Sequence, residues 1–169
     1  CTPEQRAIRE INSSIYMASS AFLKEALGSL KNNNVQGEYY LTDIVGYGVA
    51  RGVPIDVVIV TDYQELSGAN SRAELSALET IRRQRINWHW MESGVTLEDP
   101  QATYIEEGVV LGADCRIGAG SRIYGKSVLG AGVVLEGDTV IRDSVIGDNV
   151  RIKFSCVVDN AKIGPAAQV

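Results

Sequence analysis

Residues 117–141 read IGAGSRIYGKSVLGAGVVLEGDTVI, and Ile117, Ile123, Leu129, Leu135 and Ile141 recur at every sixth position. No amphipathic helix keeps that interval, because a turn of about 3.6 residues drifts off register within two repeats. Six is an even number, so an extended backbone returns the same face inward each time. If the chain also turns a corner once per repeat, all the aliphatics point to a common axis. The series extends outward to Ile105 and Leu111 on one side and to Ile146, Ile152, Val158, Ile163 and Val169 on the other. Steps of five residues begin at Ile141 and Val158, and glycine often follows the aliphatic, as at Gly112, Gly118, Gly130, Gly147 and Gly164. This pattern predicts a hexapeptide β-helix whose coils stack about 4.8 Å apart. Each buried Ile or Leu would contribute roughly 1.5–3 kcal/mol by area. If three hexads make one coil, Asp143–Ser144 and Asn160–Ala161 stack at the same corner.

Upstream of Gly94 the rules change. The stretch INSSIYM (11–17) reads as a short strand, and Ser20 as the cap of a helix with Phe22, Leu23, Ala26, Leu27 and Leu30 on one face. Asn32, Asn33 and Asn34 end that helix. EYYLT (38–42) is a second strand candidate, residues 43–51 a helix stopped by Gly52, and PIDVVIVT (54–61) a strand buried on both faces. Ser71 and Glu74 form a capping-box pair opening a helix with Leu75, Leu78, Ile81 and Ile86 inward. This is an α/β pattern without a G-x-G-x-x-G or P-loop motif.

Composition bounds the function. The 169 residues carry 16 basic and 21 acidic side chains, a net charge of −5, with no long run of either sign. That argues against a nucleic-acid or anionic-membrane surface, but not against phosphorylated small molecules. Cys1, Cys115 and Cys156 are too few and scattered for a disulfide framework or zinc site, which points to a reducing, cytoplasmic setting. No apolar stretch is long enough to span a bilayer. The chain starts without Met and stops in mid-repeat, and reads as a piece of something longer.

The blocks EINSSIYM, NNNVQGEYYLTDI, GANSRAELSALE and SGVTLEDP, followed by hexapeptide repeats ending IGP, resemble bacterial bifunctional N-acetylglucosamine-1-phosphate uridyltransferase / glucosamine-1-phosphate acetyltransferase. The resemblance implies the C-terminal part of a Rossmann-like nucleotidyltransferase domain (1–70), a connecting helix (71–93) and the first coils of a left-handed parallel β-helix (94–169). It implies a homotrimer, nucleotide and sugar phosphate substrates, and Mg²⁺-assisted synthesis of UDP-N-acetylglucosamine from N-acetylglucosamine 1-phosphate and UTP. Alternatives are a relative using another sugar or nucleotide, such as a thymidylyltransferase, or a non-catalytic trimerisation module.

Carried over by the resemblance, Asn12 matches an asparagine that hydrogen-bonds the sugar, and Asn70 one that ligates Mg²⁺ and touches the nucleotide-sugar. An amide oxygen suits a hard cation. The position of Asn70 just before a helix start also suggests free N–H groups for phosphate oxygens. Glu38, Tyr40 and Thr42 alternate along their strand candidate and become candidates for lining the sugar pocket. Ser14 stands where that family usually has glycine, Ser67 where it has an acidic residue, and Ser71 where it has a second asparagine. The partner aspartate and nucleotide loop would precede Cys1, and the acetyltransferase residues would follow Val169. His89 reads as a packing or surface residue at the helix end, and Trp88 and Trp90 as packing between that helix and the solenoid.

Overall fold

The computed structural model describes residues 2–8 and 10–169. The chain divides into two compact units, residues 1–67 and 68–169.

In the first unit, helices α1 (Pro3–Ala7), α2 (Ser20–Ser29) and α3 (Asp43–Ala50) precede a single 3₁₀ turn at Tyr63–Leu66. Ser19, rather than the expected Ser20, caps α2: its hydroxyl accepts from the Phe22 N–H at 3.3 Å. Helices α2 and α3 pack through Ala26, Ile44 and Gly48, and the Phe22 ring meets Tyr47 edge-on at 5.9 Å. Leu27, expected on the inward face, is exposed. None of the three expected strands forms. Residues 11–17 and 38–42 are loop and turn, and residues 54–60 lack any ladder partner. Val57, Val58 and Ile59 are 81, 85 and 73% exposed. Aliphatic, β-branched sequence favours a strand, but only cross-strand hydrogen bonds and a covering layer make one stable. This unit supplies neither.

The second unit opens with α4 (Arg72–Glu92), whose start matches the sequence expectation. The Ser71 hydroxyl accepts from Glu74 N–H at 3.2 Å, and the Glu74 carboxylate in turn accepts from Ser71 N–H at 3.2 Å. Leu75, expected inward, is exposed, whereas Ile86, Trp90 and Met91 pack against the core that follows. After Gly94 the described chain contains no further helix.

Twelve short strands then wind into a solenoid with three parallel sheets. In chain order they are β1 (Thr96–Leu97), β2 (Tyr104–Ile105), β3 (Val110–Leu111), β4 (Arg116–Ile117), β5 (Arg122–Tyr124) and β6 (Val128–Leu129). The rest are β7 (Val134–Leu135), β8 (Val140–Arg142), β9 (Val145–Ile146), β10 (Arg151–Ile152), β11 (Val157–Asp159) and β12 (Lys162–Ile163). Every third strand stacks, giving sheets β1-β4-β7-β10, β2-β5-β8-β11 and β3-β6-β9-β12. Ile105 sits over Ile123 and Ile141, Leu111 over Leu129 and Ile146, and Ile117 over Leu135. The members of the repeating series from Ile105 to Val158 are all buried. Ile163 is half-buried and Val169 is 45% exposed, because no coil in this structure stacks over theirs.

Two residues before most aliphatics lies a second inward column of small side chains. Cys115, Val133 and Val150 line one corner, Thr103, Ser121 and Thr139 another, and Val109, Ser127 and Ser144 the third. The hydroxyls serve backbone groups that the corners would otherwise orphan. Ser127 Oγ donates to Tyr124 O at 2.7 Å, and Ser144 Oγ donates to Arg142 O at 2.6 Å while accepting from Ala161 N–H at 3.0 Å. The corner expected to stack does so, since the Asn160 N–H donates to Arg142 O at 3.0 Å. Glycine serves two purposes. At Gly125, φ is +66° and a Cβ would collide with the Asp143 carboxylate of the next coil. At Gly118, by contrast, a Cβ would stand 2.6 Å from the backbone of Glu136 and Gly137, so the glycine lets two coils approach.

Candidate functional site

The sequence candidates fall in both units. Asn12 is exposed, accepts from Ser14 N–H through Oδ1 at 2.9 Å, and donates to the Tyr16 hydroxyl. This is an Asx turn, and it explains the residue that departs from the resembled family: Ser14 has φ of +61°, a conformation glycine adopts without cost. Glu38 and Tyr40 lie on a loop organised by Asn34, whose Oδ1 accepts from Gln36 N–H at 3.1 Å and Glu38 N–H at 3.2 Å. The Tyr40 hydroxyl donates to Gln36 Oε1. Thr42 occupies the N-cap position of α3 without a side-chain capping bond. Because no strand forms at 38–42, the alternation that would have aligned Glu38, Tyr40 and Thr42 on one face is absent.

Asn70 belongs to the second unit. The cap of α4 is Ser71, so Asn70 is not itself the cap. Its side-chain amide makes no hydrogen bond among the described residues, while its backbone N–H donates to Glu74 Oε2 at 2.6 Å. The expected free N–H groups are therefore already taken by the Glu74 carboxylate, which satisfies both Asn70 and Ser71. A negative charge there competes with a phosphate for the same donors.

Among the described residues no cluster of three His, Cys, Asp or Glu could hold a metal. Burial pushes the Cys115 thiol above its ordinary value, the carboxylates of Asp114 and Asp148 adding to the rise against backbone hydrogen bonds at Val133 and Gly112. A protonated, sealed thiol is core, not a nucleophile. His89 is exposed and meets Trp90 edge-on at 5.2 Å. Trp90 packs on the solenoid, whereas Trp88, expected to do the same, is exposed.

Sequence reasoning missed Asn87, the buried residue of α4. Its Nδ2 donates to Pro100 O at 2.7 Å and to Thr103 O at 3.0 Å, fastening the helix to the first corner. That corner is two residues longer than the six-residue corners: Leu97 lies eight before Ile105, and Thr96 pairs with Arg116. The long interval hid Leu97 from a search at six. The spacing of Asn87 from Ile86, Trp90 and Met91 on the packed side of α4 was the available signal.

Fold and candidate residues define a helix-led, hexapeptide-repeat parallel β-solenoid, a single candidate cation-ligating amide preceding its long helix. No family model matches the chain. Its curated relatives include the protein named bifunctional protein GlmU from Exiguobacterium sibiricum, 40% identical over 98% of this chain and 37% of the relative. Proteins of the same name from Clostridioides difficile (41%, covering 97% and 37%) and Pelobacter propionicus (38%, covering 99% and 38%) are similar to the same extent. The chain thus spans rather more than a third of the length of the relatives it matches. The likeness is to that share of proteins so named and does not single out uridyltransfer. No helix among the described residues is long and apolar enough to cross a membrane.

Proposed function

We propose that the chain is a piece of a GlmU-type bifunctional transferase that bridges its two activities. Residues 1–70 would close the sugar side of a Rossmann-like uridyltransferase domain, and 94–169 would begin the left-handed solenoid of the acetyltransferase half. The observation that carries this is the coincidence of an intact four-coil hexapeptide solenoid with a helix start where Asn70 keeps its amide uncommitted. In the whole enzyme, N-acetylglucosamine 1-phosphate and UTP would be the substrates.

Mg²⁺ would neutralise phosphate charge there. The amide oxygen of Asn70 fits such a hard cation as one ligand of several, and among the described residues no cluster of three His, Cys, Asp or Glu completes the set. Asn12 would orient the sugar through the turn it now holds closed, and Glu38, Tyr40 and Thr42 would line the sugar pocket. A relative acting on another sugar or nucleotide would use the same arrangement.

Assembly is a second reading with its own observation. Val110, Val128 and Val145 stand in register on the outer face of the third sheet, and all three are exposed. An apolar ladder on a regular face suits association of three solenoids.

The deciding experiment is Asn70→Ala in the full-length parent. Loss of one electrostatic group should lower uridyltransfer turnover about 10²-fold, or about 2.7 kcal/mol, with circular dichroism unchanged. Full activity in the folded variant would reduce Asn70 to a neighbour of the Ser71 cap and leave assembly as the better account.

A further inference from the structure

The block NNNVQGEYYLTDI opens with three asparagines, and the third of them closes the loop that follows. Asn34 Oδ1 accepts from Gln36 N–H at 3.1 Å and from Glu38 N–H at 3.2 Å, and Asn34 Nδ2 donates to the Glu38 carbonyl. Two N–H groups converge on one atom of the amide, which identifies that atom as the oxygen. The backbone adds a bond from Gly37 N–H to Asn34 O at 3.1 Å, with Gly37 at φ of +68°. One side chain thus holds Glu38 by both its backbone groups.

Tyr40 is held as well. Its hydroxyl donates to Gln36 Oε1, and its carbonyl accepts from Asp43 N–H at 3.1 Å, where α3 begins. Each of these bonds spans four residues or fewer, so the loop takes this shape without help from a distant segment.

A tyrosine hydroxyl has one proton to give, and here Gln36 receives it, which leaves only lone pairs for a ligand. The Glu38 carboxylate likewise accepts and does not donate. Two acceptor side chains, two residues apart on a braced loop, suit the hydroxyl and amide N–H groups of a sugar. They disfavour a phosphate, whose charge the carboxylate repels.

On the assignment of Glu38 and Tyr40 to the sugar pocket made above, we propose that Asn34 and Gln36 are positioning residues for sugar recognition. Asn34 fixes the backbone that carries Glu38, and Gln36 fixes the direction of the Tyr40 hydroxyl, so that the loop reads the donors of the sugar.

The test is steady-state uridyltransfer by the full-length parent, with the KM for N-acetylglucosamine 1-phosphate and the KM for UTP measured separately and folding checked by circular dichroism. Gln36 is exposed, so its replacement leaves the fold in place. Gln36→Ala should raise the sugar phosphate KM about 3- to 10-fold, as befits one lost hydrogen bond, while the UTP KM holds. Gln36→Glu, which keeps an acceptor for the phenol, should restore most of that loss. In a Tyr40→Phe background Gln36→Ala should have no further effect, because the bond through which it acts is already gone. Asn34→Ala should raise the same KM at least as much, and Asn34→Asp, which keeps the oxygen that serves two N–H groups, should raise it less. A rise shared by both substrates, or a Gln36→Ala effect that persists beside Tyr40→Phe, would mean general loosening and overturn the proposal. So would an unaltered sugar phosphate KM in Gln36→Ala and Asn34→Ala, which would leave the uridyltransferase reading standing. Absence of uridyltransfer from the folded parent would overturn that reading, and this proposal with it.

Discussion

The two units are built from similar residues and reach opposite outcomes. Ile123 in the solenoid is fully buried, while Ile59, in an equally aliphatic stretch of the first unit, is largely exposed. Ile123 has a coil above and a coil below, with Ile105 and Ile141 in register, whereas residues 54–60 have no ladder partner. Apolar sequence is therefore a demand for partners, and the solenoid meets it with its own next coil. In such stacked repeats the stability of each turn depends on its neighbours.

The strongest challenge to this contrast is Ile123→Ala. Losing a fully buried side chain from a close-packed column should cost about 2–5 kcal/mol, while Leu27→Ala in the first unit, exposed on α2, should cost less than about 1 kcal/mol. Urea unfolding of both variants, followed by circular dichroism, checks it, and equal losses would break the comparison. A smaller effect is expected at the junction of helix and solenoid. Asn87→Ala strands the carbonyls of Pro100 and Thr103, which should cost about 1–3 kcal/mol and raise hydrogen exchange in the first coil before the second. Uniform loss of protection through all coils would show that the solenoid melts as one block. At the bottom of the scale, Val58→Ser should change stability by no more than about 0.5 kcal/mol, given how little of the side chain is covered. A loss of several kcal/mol in thermal unfolding would mean that residues 54–60 are packed in solution.

The solenoid was legible because its signal is covalent in origin. A fixed interval between aliphatics survives whatever the surroundings, and every member of the series from Ile105 to Val158 is buried, although the interval did not reveal the second column that holds Val109, Val133 and Val150. The capping box at Ser71 was legible for a similar reason, since all its partners lie within four residues. The strands of the first unit were not, because propensity states what a segment would do given a neighbour, and none is supplied at 11–17, 38–42 or 54–60. Among the site candidates, Asn70 was located relative to its helix but the occupation of nearby N–H groups by Glu74 was not foreseen. Leu97 and Asn87 escaped because a corner of eight residues falls outside the template, and because a buried amide in a helix is invisible to a hydrophobic pattern.

The coil length sets what kinds of genetic change this fold can absorb. Tyr104 pairs with Arg122 and Val110 with Val128, eighteen residues on, whereas Val140 pairs with Val157 and Val145 with Lys162, seventeen on. An insertion or deletion of one whole coil would change the rod by about 4.8 Å and leave the core pattern intact. A one-residue change inside a strand would turn its aliphatic outward. The single residue that separates the two coil lengths is missing at one stacked corner, which carries Asp143 (φ +43°) in one coil and Asn160 (φ +50°) in the next. Natural length variation in this lineage should therefore come as duplicated coils, or as single-residue gaps confined to the corner that carries Asp143.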